Sequence, residues 1–455
     1  SMSKKYFGTD GVRGMVGKDP MTADFALRLA SAAAQVLVPS GGSVLIGKDT
    51  RLSGYMFESA LEAGFTAAGA DVLLIGPLPT PGVAFLTQEF SADLGVVISA
   101  SHNLYFDNGI KFFDGAGSKL TDEAEMAIEA SLDKAAITVD SQSLGKAQRI
   151  DSALVRYEKF CASTLPDGLD LNALKVVFDG ANGAGYKVGP RTLANLNAEV
   201  IPIGCSPNGR NINDGCGSTR PDLLQLTVPA VAADIGIALD GDGDRVVLVD
   251  ENGQLIDGDQ ILYVLATAWQ EEGRLHGPVV GTVMSNLGLE RALQARDIEF
   301  QRARVGDRYV LEALKQGGGV IGGETSGHMI VLDQTTTGDG LITALQVLAV
   351  MKRTGRKLSE LVAGMPKYPQ TMLNVRTEQR MDPDNSPQIR EAVSAARDEL
   401  AESGRIVLRA SGTEPVIRVM VEGSDEKQVN SVAERLAAVV AEAASQKVPK
   451  RAQEA

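Results

Sequence analysis

The sequence predicts an α/β protein: three similar mixed-sheet α/β domains plus a C-terminal α+β domain, around a central cleft. Three observations carry this. The chain has 455 residues, too many for one ordinary core at roughly 150 residues per domain. Short β-branched strands alternate with apolar residues at helical spacing along most of it, the pattern of α/β units. After Pro366 and Pro369 the order of elements changes, as in an α+β fold. The expected boundaries are 4–150, 151–256, 257–368 and 369–445, with 446–455 a solvated tail.

The opening Lys4 to Gly17, KKYFGTDGVRGMVG, has four glycines and reads as a sharply bent loop. Its Arg13 is either a solvated cation or a phosphate contact. Spacing then predicts helices over 25–38 and 55–68 and strands over 43–46, 71–75 and 95–98. Gly42 to Lys48 fits GxxxxGK, but Asp49 stands where Ser or Thr is required and the intervening residues form a strand, so no phosphate loop is read there. The strand at 95–98 runs into Ser99-Ala100-Ser101-His102-Asn103. Taken alone, that is a polar turn or a hydroxyl presented at the carboxyl end of a strand, where α/β sheets bind ligands.

A second unit has a helix over 151–164, a strand over 174–178, and the turn Asp179 to Gly185, whose glycine spacing is not that of a dinucleotide fold. Cys205 to Asp222 is a polar loop long enough to be functional. The strand over 234–239 ends in Asp240-Gly241-Asp242-Gly243-Asp244-Arg245. Three carboxylates at alternate positions of an extended backbone would share a side and repel, so they call for a divalent cation. The spacing is not an EF-hand, since Arg245 replaces its glycine and 246–249 is a strand. An all-oxygen site with few protein ligands suits Mg²⁺. A third unit, with helices over 260–270, 287–295, 308–315 and 341–351, carries Gly322 to His328. That loop offers a carboxylate, hydroxyls and an imidazole, groups that suit sugar hydroxyls or an amine; His328 also fits a core histidine. In the last unit Arg409-Ala-Ser-Gly-Thr-Glu-Pro415, with Arg418 beyond, makes a phosphate cradle.

The net charge of −14 argues against nucleic acid or an anionic membrane as partner. Three cysteines without CxxC spacing argue against a disulfide framework or structural zinc and fit a reducing cytoplasm. The sequence shows no secretory leader and no 18-residue apolar span.

Four motifs together carry a resemblance: Ser99 to Asn103, Asp240 to Arg245, Gly323 to His328 and Arg409 to Pro415. Over essentially its whole length the chain resembles the α-D-phosphohexomutase superfamily. Within it, Tyr6 to Gly14, Pro207 to Asn213 and Cys216 to Thr219 resemble the bacterial phosphoglucosamine mutases. Leu104 stands where the family usually has Pro, and Thr325 where this subfamily usually has Gln. The resemblance implies interconversion of glucosamine 6-phosphate and glucosamine 1-phosphate, toward UDP-N-acetylglucosamine, through a phosphoserine at Ser101 and a bisphosphorylated sugar. It implies one Mg²⁺ on Asp240, Asp242, Asp244 and Ser101. Arg13 and Arg245 would stabilise the transferring phosphoryl. Lys111 would act as general acid/base, its pKa lowered by nearby cations, with His102 second. Glu324, Ser326 and His328 would hold the sugar. Arg409, Ser411, Gly412, Thr413 and Arg418 would hold the other phosphate. Three rivals stay open: a phosphomannomutase or phosphoglucomutase, a non-catalytic sugar-phosphate or nucleotide binder, and a phosphatase with an Asp240 or Asp242 nucleophile. Monomer and homodimer also stay open.

Overall fold

The computed structural model describes residues 4–412 and 414–445. Its first sheet contains β1 (Val12–Met15), β2 (Ser43–Lys48), β3 (Asp71–Pro77), β4 (Leu94–Ile98), β5 (Asp107–Asp114) and β6 (Ala147–Arg149), in spatial order β1-β5-β4-β2-β3-β6. β2 is parallel to β3 and β4, and β3 to β6, whereas β5 is antiparallel to both β4 and β1. The loop after β4 is short, and a short connection can only turn straight back. The sheet is therefore mixed, and the return sets Lys111 opposite Val97 and Arg13 opposite Gly109. The opening read as a loop thus holds a strand, β1, with Val12 fully buried.

Helices Ala23–Leu37 and Leu52–Ala67 cover this sheet. Thr22 caps the first by accepting from the Phe25 amide at 3.2 Å. The two helices approach so closely that a Cβ at Gly64 would lie 2.5 Å from the Leu27 carbonyl oxygen. Phe25, Phe57, Leu61 and Phe65 pack on Val44, Ile46, Val96 and Ile98. Each such burial is worth ~1.5–3 kcal/mol.

The second sheet has β7 (Lys175–Asp179), β8 (Glu199–Ile203), β9 (Ile235–Leu239), β10 (Val246–Val249) and β11 (Leu255–Ile256), in order β11-β10-β9-β7-β8. β7 and β9 are parallel neighbours, so the turns after Asp179 and after Leu239 leave the same end of the sheet. Next come β12 (Val279–Thr282), β13 (Phe300–Ala303), β14 (Ile321–Gly323) and β15 (Met329–Val331). β14 is parallel to β12 at Val280 and antiparallel to β15. Helices Gly258–Glu271, Asp307–Gly317 and Gly340–Thr354 accompany them. The first begins with a capping box of Asp257 and Gln260.

The chain divides into two compact units. The larger takes the described residues to Val280 together with Ala303–Ala363; the smaller takes Gly281–Arg302 together with those from Gly364. The smaller unit carries the antiparallel sheet β16-β18-β17, with β16 (Gln370–Arg376), β17 (Gly404–Ala410) and β18 (Val416–Gly423). Helices Pro387–Leu400 and Glu426–Ser445 pack on it through Ile389, Leu400, Val429 and Leu436. Among the described residues no helix is long and apolar enough to cross a membrane. The tail read at 446–455 lies outside the described residues.

Candidate active site

β4 is buried along its whole length and delivers the chain to a loop in which Ser101 takes φ = 53°. A non-glycine residue held there stores roughly 1–3 kcal/mol and persists only if its surroundings over-determine it. They do. The Ser101 amide donates to Ser99 Oγ at 3.0 Å, and Ser99 Oγ donates to Asp49 at 2.6 Å. The fully buried Arg51 donates through Nε to Asp49 at 2.8 Å, and through its two terminal nitrogens to the carbonyls of Leu104 at 2.6 Å, Ser101 at 3.1 Å and Asp107 at 3.2 Å. Asn213 Nδ2 donates to the Ser101 carbonyl at 2.8 Å and the Asn103 carbonyl at 3.0 Å. The unfamiliar Leu104 therefore offers this clamp its backbone and leaves its side chain exposed.

Against the Ser101 loop lies the turn after β9. A Cβ at Gly241 would come 2.5 Å from the Ser101 carbonyl oxygen, so glycine is required there. The segment is a tight turn, closed by Gly243 N–H donating to the Asp240 carbonyl at 3.1 Å, not the extended backbone expected from the sequence. The outcome is nevertheless convergence: oxygens of Asp240, Asp242 and Asp244 lie within 4.8 Å of one another. Ser101 Oγ donates to Asp240 Oδ2 at 2.7 Å. Asp242 Oδ2 accepts from Thr80 Oγ1 at 2.6 Å and Lys111 Nζ at 3.0 Å. Oδ1 of Asp242 and Oδ1 of Asp244 are buried without a hydrogen-bond partner.

The charges respond accordingly. Burial and the two neighbouring carboxylates push Asp240 well above the usual carboxylate range. Burial also raises Asp242, but the Lys111 charge and the hydrogen bonds to its carboxylate, those from Thr80 and Lys111 included, together hold that group well below the range. Burial would lower Lys111, yet Asp242, Asp244 and Asp10 together raise it above the usual lysine range. That corrects the expectation of a lowered lysine: Asp10 and two of the three loop carboxylates surround the ammonium. Burial, then Arg245 and Arg13, lower His102. Oxygens closely gathered, buried and in part unpartnered are the donor set a hard divalent cation takes, and the residues present fit one.

Two guanidiniums face this centre. Arg13 on β1 lies 3.9 Å from Asp10, with its Nε buried and unpartnered. Arg245 approaches His102 Nδ1 at 3.5 Å, and its Nε is likewise buried and unpartnered. The turn between β14 and β15 is stitched to the same place. Val246 N–H donates to the Gly327 carbonyl at 3.0 Å, and Arg245 and His328 form an isolated β-bridge. Glu324 accepts from the Gly306 amide at 3.0 Å, Ser326 is exposed, and His328 is buried with Nε2 3.5 Å from Asp307. Thr325 Oγ1 sits on the Asp259 carboxylate at 2.9 and 3.0 Å.

In the smaller unit Arg409 and Arg418 are directly opposed across β17 and β18. Ser411 closes the hairpin, its amide donating to the Val416 carbonyl at 2.8 Å, and Arg380 donates to the Gly412 carbonyl. Thr413 lies outside the described residues. A cavity of about 450 Å³ here is lined by Arg380, Ser411 and Glu414 among others.

The larger unit thus brings together Ser101, His102, Lys111, Arg13, the three aspartates, Arg245, Glu324 and His328. Sequence reasoning missed Asp49, Arg51, Thr80, Lys119, Asp307 and Arg380, and passed over Asp10 and Asn213 inside stretches it had singled out. For Asp49 and Arg51 a signal existed: they follow a strand, as Ser101 does, and parallel strands end on the same side.

Four domain descriptions of one family match this chain. They are phosphoglucomutase/phosphomannomutase alpha/beta/alpha domains I (residues 4–138), II (160–253) and III (257–368), and the C-terminal domain (372–439). A phosphoglucosamine mutase of Thioalkalivibrio sulfidiphilus is 56% identical, covering 96% of this chain and 98% of that one. One of Methylococcus capsulatus is 54% identical, covering 98% and 100%. Among solved structures, a phosphoglucomutase/phosphomannomutase family protein from Burkholderia thailandensis shares the fold, with a TM-score of 0.81, 24% identity and coverage of 98% and 99%.

Proposed function

We propose a mechanism for a chain that belongs to the phosphoglucomutase/phosphomannomutase family, the α-D-phosphohexomutases, and within it to the phosphoglucosamine mutases. It interconverts glucosamine 6-phosphate and glucosamine 1-phosphate, toward UDP-N-acetylglucosamine. One observation carries the mechanism: a buried, conformationally strained Ser101 hydroxyl 2.7 Å from Asp240, beside carboxylate oxygens that no protein group satisfies.

In the forward direction Ser101 enters phosphorylated. The Oγ–P bond breaks as a bond forms from the sugar O1 to phosphorus; O1 loses its proton and Oγ regains one. The resulting bisphosphate turns over and donates its 6-phosphoryl to Ser101 Oγ, releasing glucosamine 1-phosphate. Lys111, 3.0 Å from Asp242, and His102, next to Ser101, are the groups placed to move the protons. Arg13 and Arg245 bring guanidinium nitrogens to the charge of the transferring phosphoryl. Asp240, Asp242, Asp244 and the Ser101 oxygen would hold Mg²⁺, which when bound neutralises charge developing on the phosphoryl in transfer. Glu324, Ser326 and His328 hold the sugar; Arg409, Ser411, Gly412, Thr413 and Arg418 hold the idle phosphate. The domain partition at 4–150, 151–256, 257–368 and 369–445 belongs to this reading. So does a cytoplasmic setting, which the three free cysteines support. Sedimentation decides between monomer and homodimer.

The reading is tested by turnover of glucosamine, mannose and glucose phosphates side by side. The expected result is the highest kcat/KM for glucosamine phosphate. Preference for a neutral sugar would make the chain a phosphomannomutase or phosphoglucomutase instead.

A further inference from the structure

Lys119 is used by none of the steps above, yet it joins the two halves of the site. It sits just past β5, and Nζ lies 3.0 Å from Asp10 and also donates to Asp307, 188 residues away in sequence. Each carboxylate leads on to a residue of the proposed chemistry. Asp10 approaches Arg13, on the phosphoryl side, at 3.9 Å. Asp307 approaches His328 Nε2, on the sugar side, at 3.5 Å. The residue before Asp307 is tied to the sugar side as well, since the Gly306 amide donates to Glu324 at 3.0 Å. Two further contacts close the same gap: Arg308 to Asp122 at 2.9 Å, and Thr336 Oγ1 to the Gly117 carbonyl at 2.7 Å.

We propose that Lys119 is a positioning residue that fixes the spacing between Arg13 and His328 by bridging Asp10 and Asp307. Stability alone does not account for it. A partly exposed ion pair contributes little to folding, ~0–1 kcal/mol, and Arg308–Asp122 and Thr336–Gly117 already hold these segments together. Spacing does account for it. The phosphoryl and the sugar hydroxyl that accepts it must meet within a few tenths of an ångström, and a misplacement of about 1 Å costs up to ~100-fold in rate. The proposal rests on the mutase reading.

The test compares Lys119→Met, Lys119→Arg, Asp307→Asn and the Lys119→Met/Asp307→Asn double variant in the full chain. Three quantities are read: kcat and KM for glucosamine 6-phosphate, the loss of phosphate from Ser101 to water without sugar, and Tm. Lys119→Met is expected to lower kcat about tenfold or more while the water reaction, which needs no sugar, changes less than about twofold. Lys119→Arg is expected to keep most of the activity, and the double variant to be no worse than the poorer single one. Multiplying effects of Lys119→Met and Asp307→Asn, a parallel fall in the water reaction, or a silent Lys119→Met would each overturn the proposal. If Lys119→Met does not fold, Asp307→Asn alone must show the same split between sugar and water. A wild-type protein that turns over glucose phosphate but not glucosamine phosphate would remove the substrate assignment, and the same split would then be read with glucose phosphate.

Discussion

Two turns leave the same end of the second sheet, from neighbouring parallel strands, and both open on Asp-Gly. After β7 the Asp179 carboxylate accepts the Ala181 amide at 2.8 Å and the Gly217 amide at 2.7 Å, one on each oxygen. After β9 the loop of Asp240, Asp242 and Asp244 leaves two buried oxygens with no protein donor. The sequence patterns are alike, and glycine serves both in the same way. At Gly183 a Cβ would meet the Gly241 carbonyl oxygen at 2.3 Å, so each turn can pack on the other only because glycine is there. What separates scaffold from chemistry is the unspent hydrogen-bonding capacity of the carboxylates. Chain amides fill both oxygens of the Asp179 carboxylate, whereas the aspartates after β9 keep two buried oxygens that no amide of the chain fills.

Substitutions at these carboxylates and at Ser101 separate the two kinds of turn. Ser101→Ala removes the protein hydroxyl that carries phosphate. It is expected to cut mutase turnover by at least ~1,000-fold with the fold retained, as checked by a coupled assay and circular dichroism. Surviving turnover would return the phosphatase-type aspartate nucleophile to consideration. Asp242→Asn follows, with an expected loss of ~100- to 1,000-fold and a sharply weakened dependence on added Mg²⁺. An Asn variant with wild-type Mg²⁺ response would place the cation elsewhere.

Asp339 is another buried aspartate and extends the contrast, because its oxygens are used: it accepts the Tyr157 hydroxyl at 2.6 Å and the Ile342 amide at 2.9 Å. Burial nevertheless pushes its carboxyl up to about 6 from 3.8, the hydrogen bonds opposing. The folded protein then binds this proton more tightly than the unfolded chain. The contribution is full below about pH 4 and is lost as pH rises to about 6, ~3 kcal/mol at most. Asp339→Asn should flatten the fall in stability over that window, read as the difference between wild-type and variant denaturation midpoints. An unchanged pH profile would mean that Asp339 titrates normally. The smallest effect is expected at Asp179→Asn. Replacing one acceptor by an amide sets donor against donor and costs ~1–3 kcal/mol. Tm should fall while kcat stays within about threefold and the Mg²⁺ response is unmoved.

The alternation of strands and helices was legible because each core element carries its own local signal, a continuous apolar run in the fully buried β4 and helical spacing in the capped helix at Ala23–Leu37. Ser101 and the aspartate loop were legible because their chemistry is local in sequence. Arg51 was legible only as a residue that follows a strand, just past the false GxxxxGK match; its role as a clamp exists only because β2 and β4 pair in parallel and end together. Lys119 and Asp307 were hidden for a similar reason: no local pattern marks an ion pair between residues so far apart. The extended geometry expected for the three aspartates failed because Gly243, at φ = 72°, allows a tighter turn than the alternating pattern implies.

In the proposed reaction phosphate passes through Ser101. Its most direct test is phosphosite mapping by mass spectrometry on the protein as purified and after brief exposure to glucosamine 1,6-bisphosphate. One added phosphoryl group is expected, on the peptide holding Ser101, with occupancy rising on exposure and absent in Ser101→Ala. Full mutase turnover with Ser101 unmodified throughout, or with the phosphoryl group on Asp240 or Asp242, would contradict it.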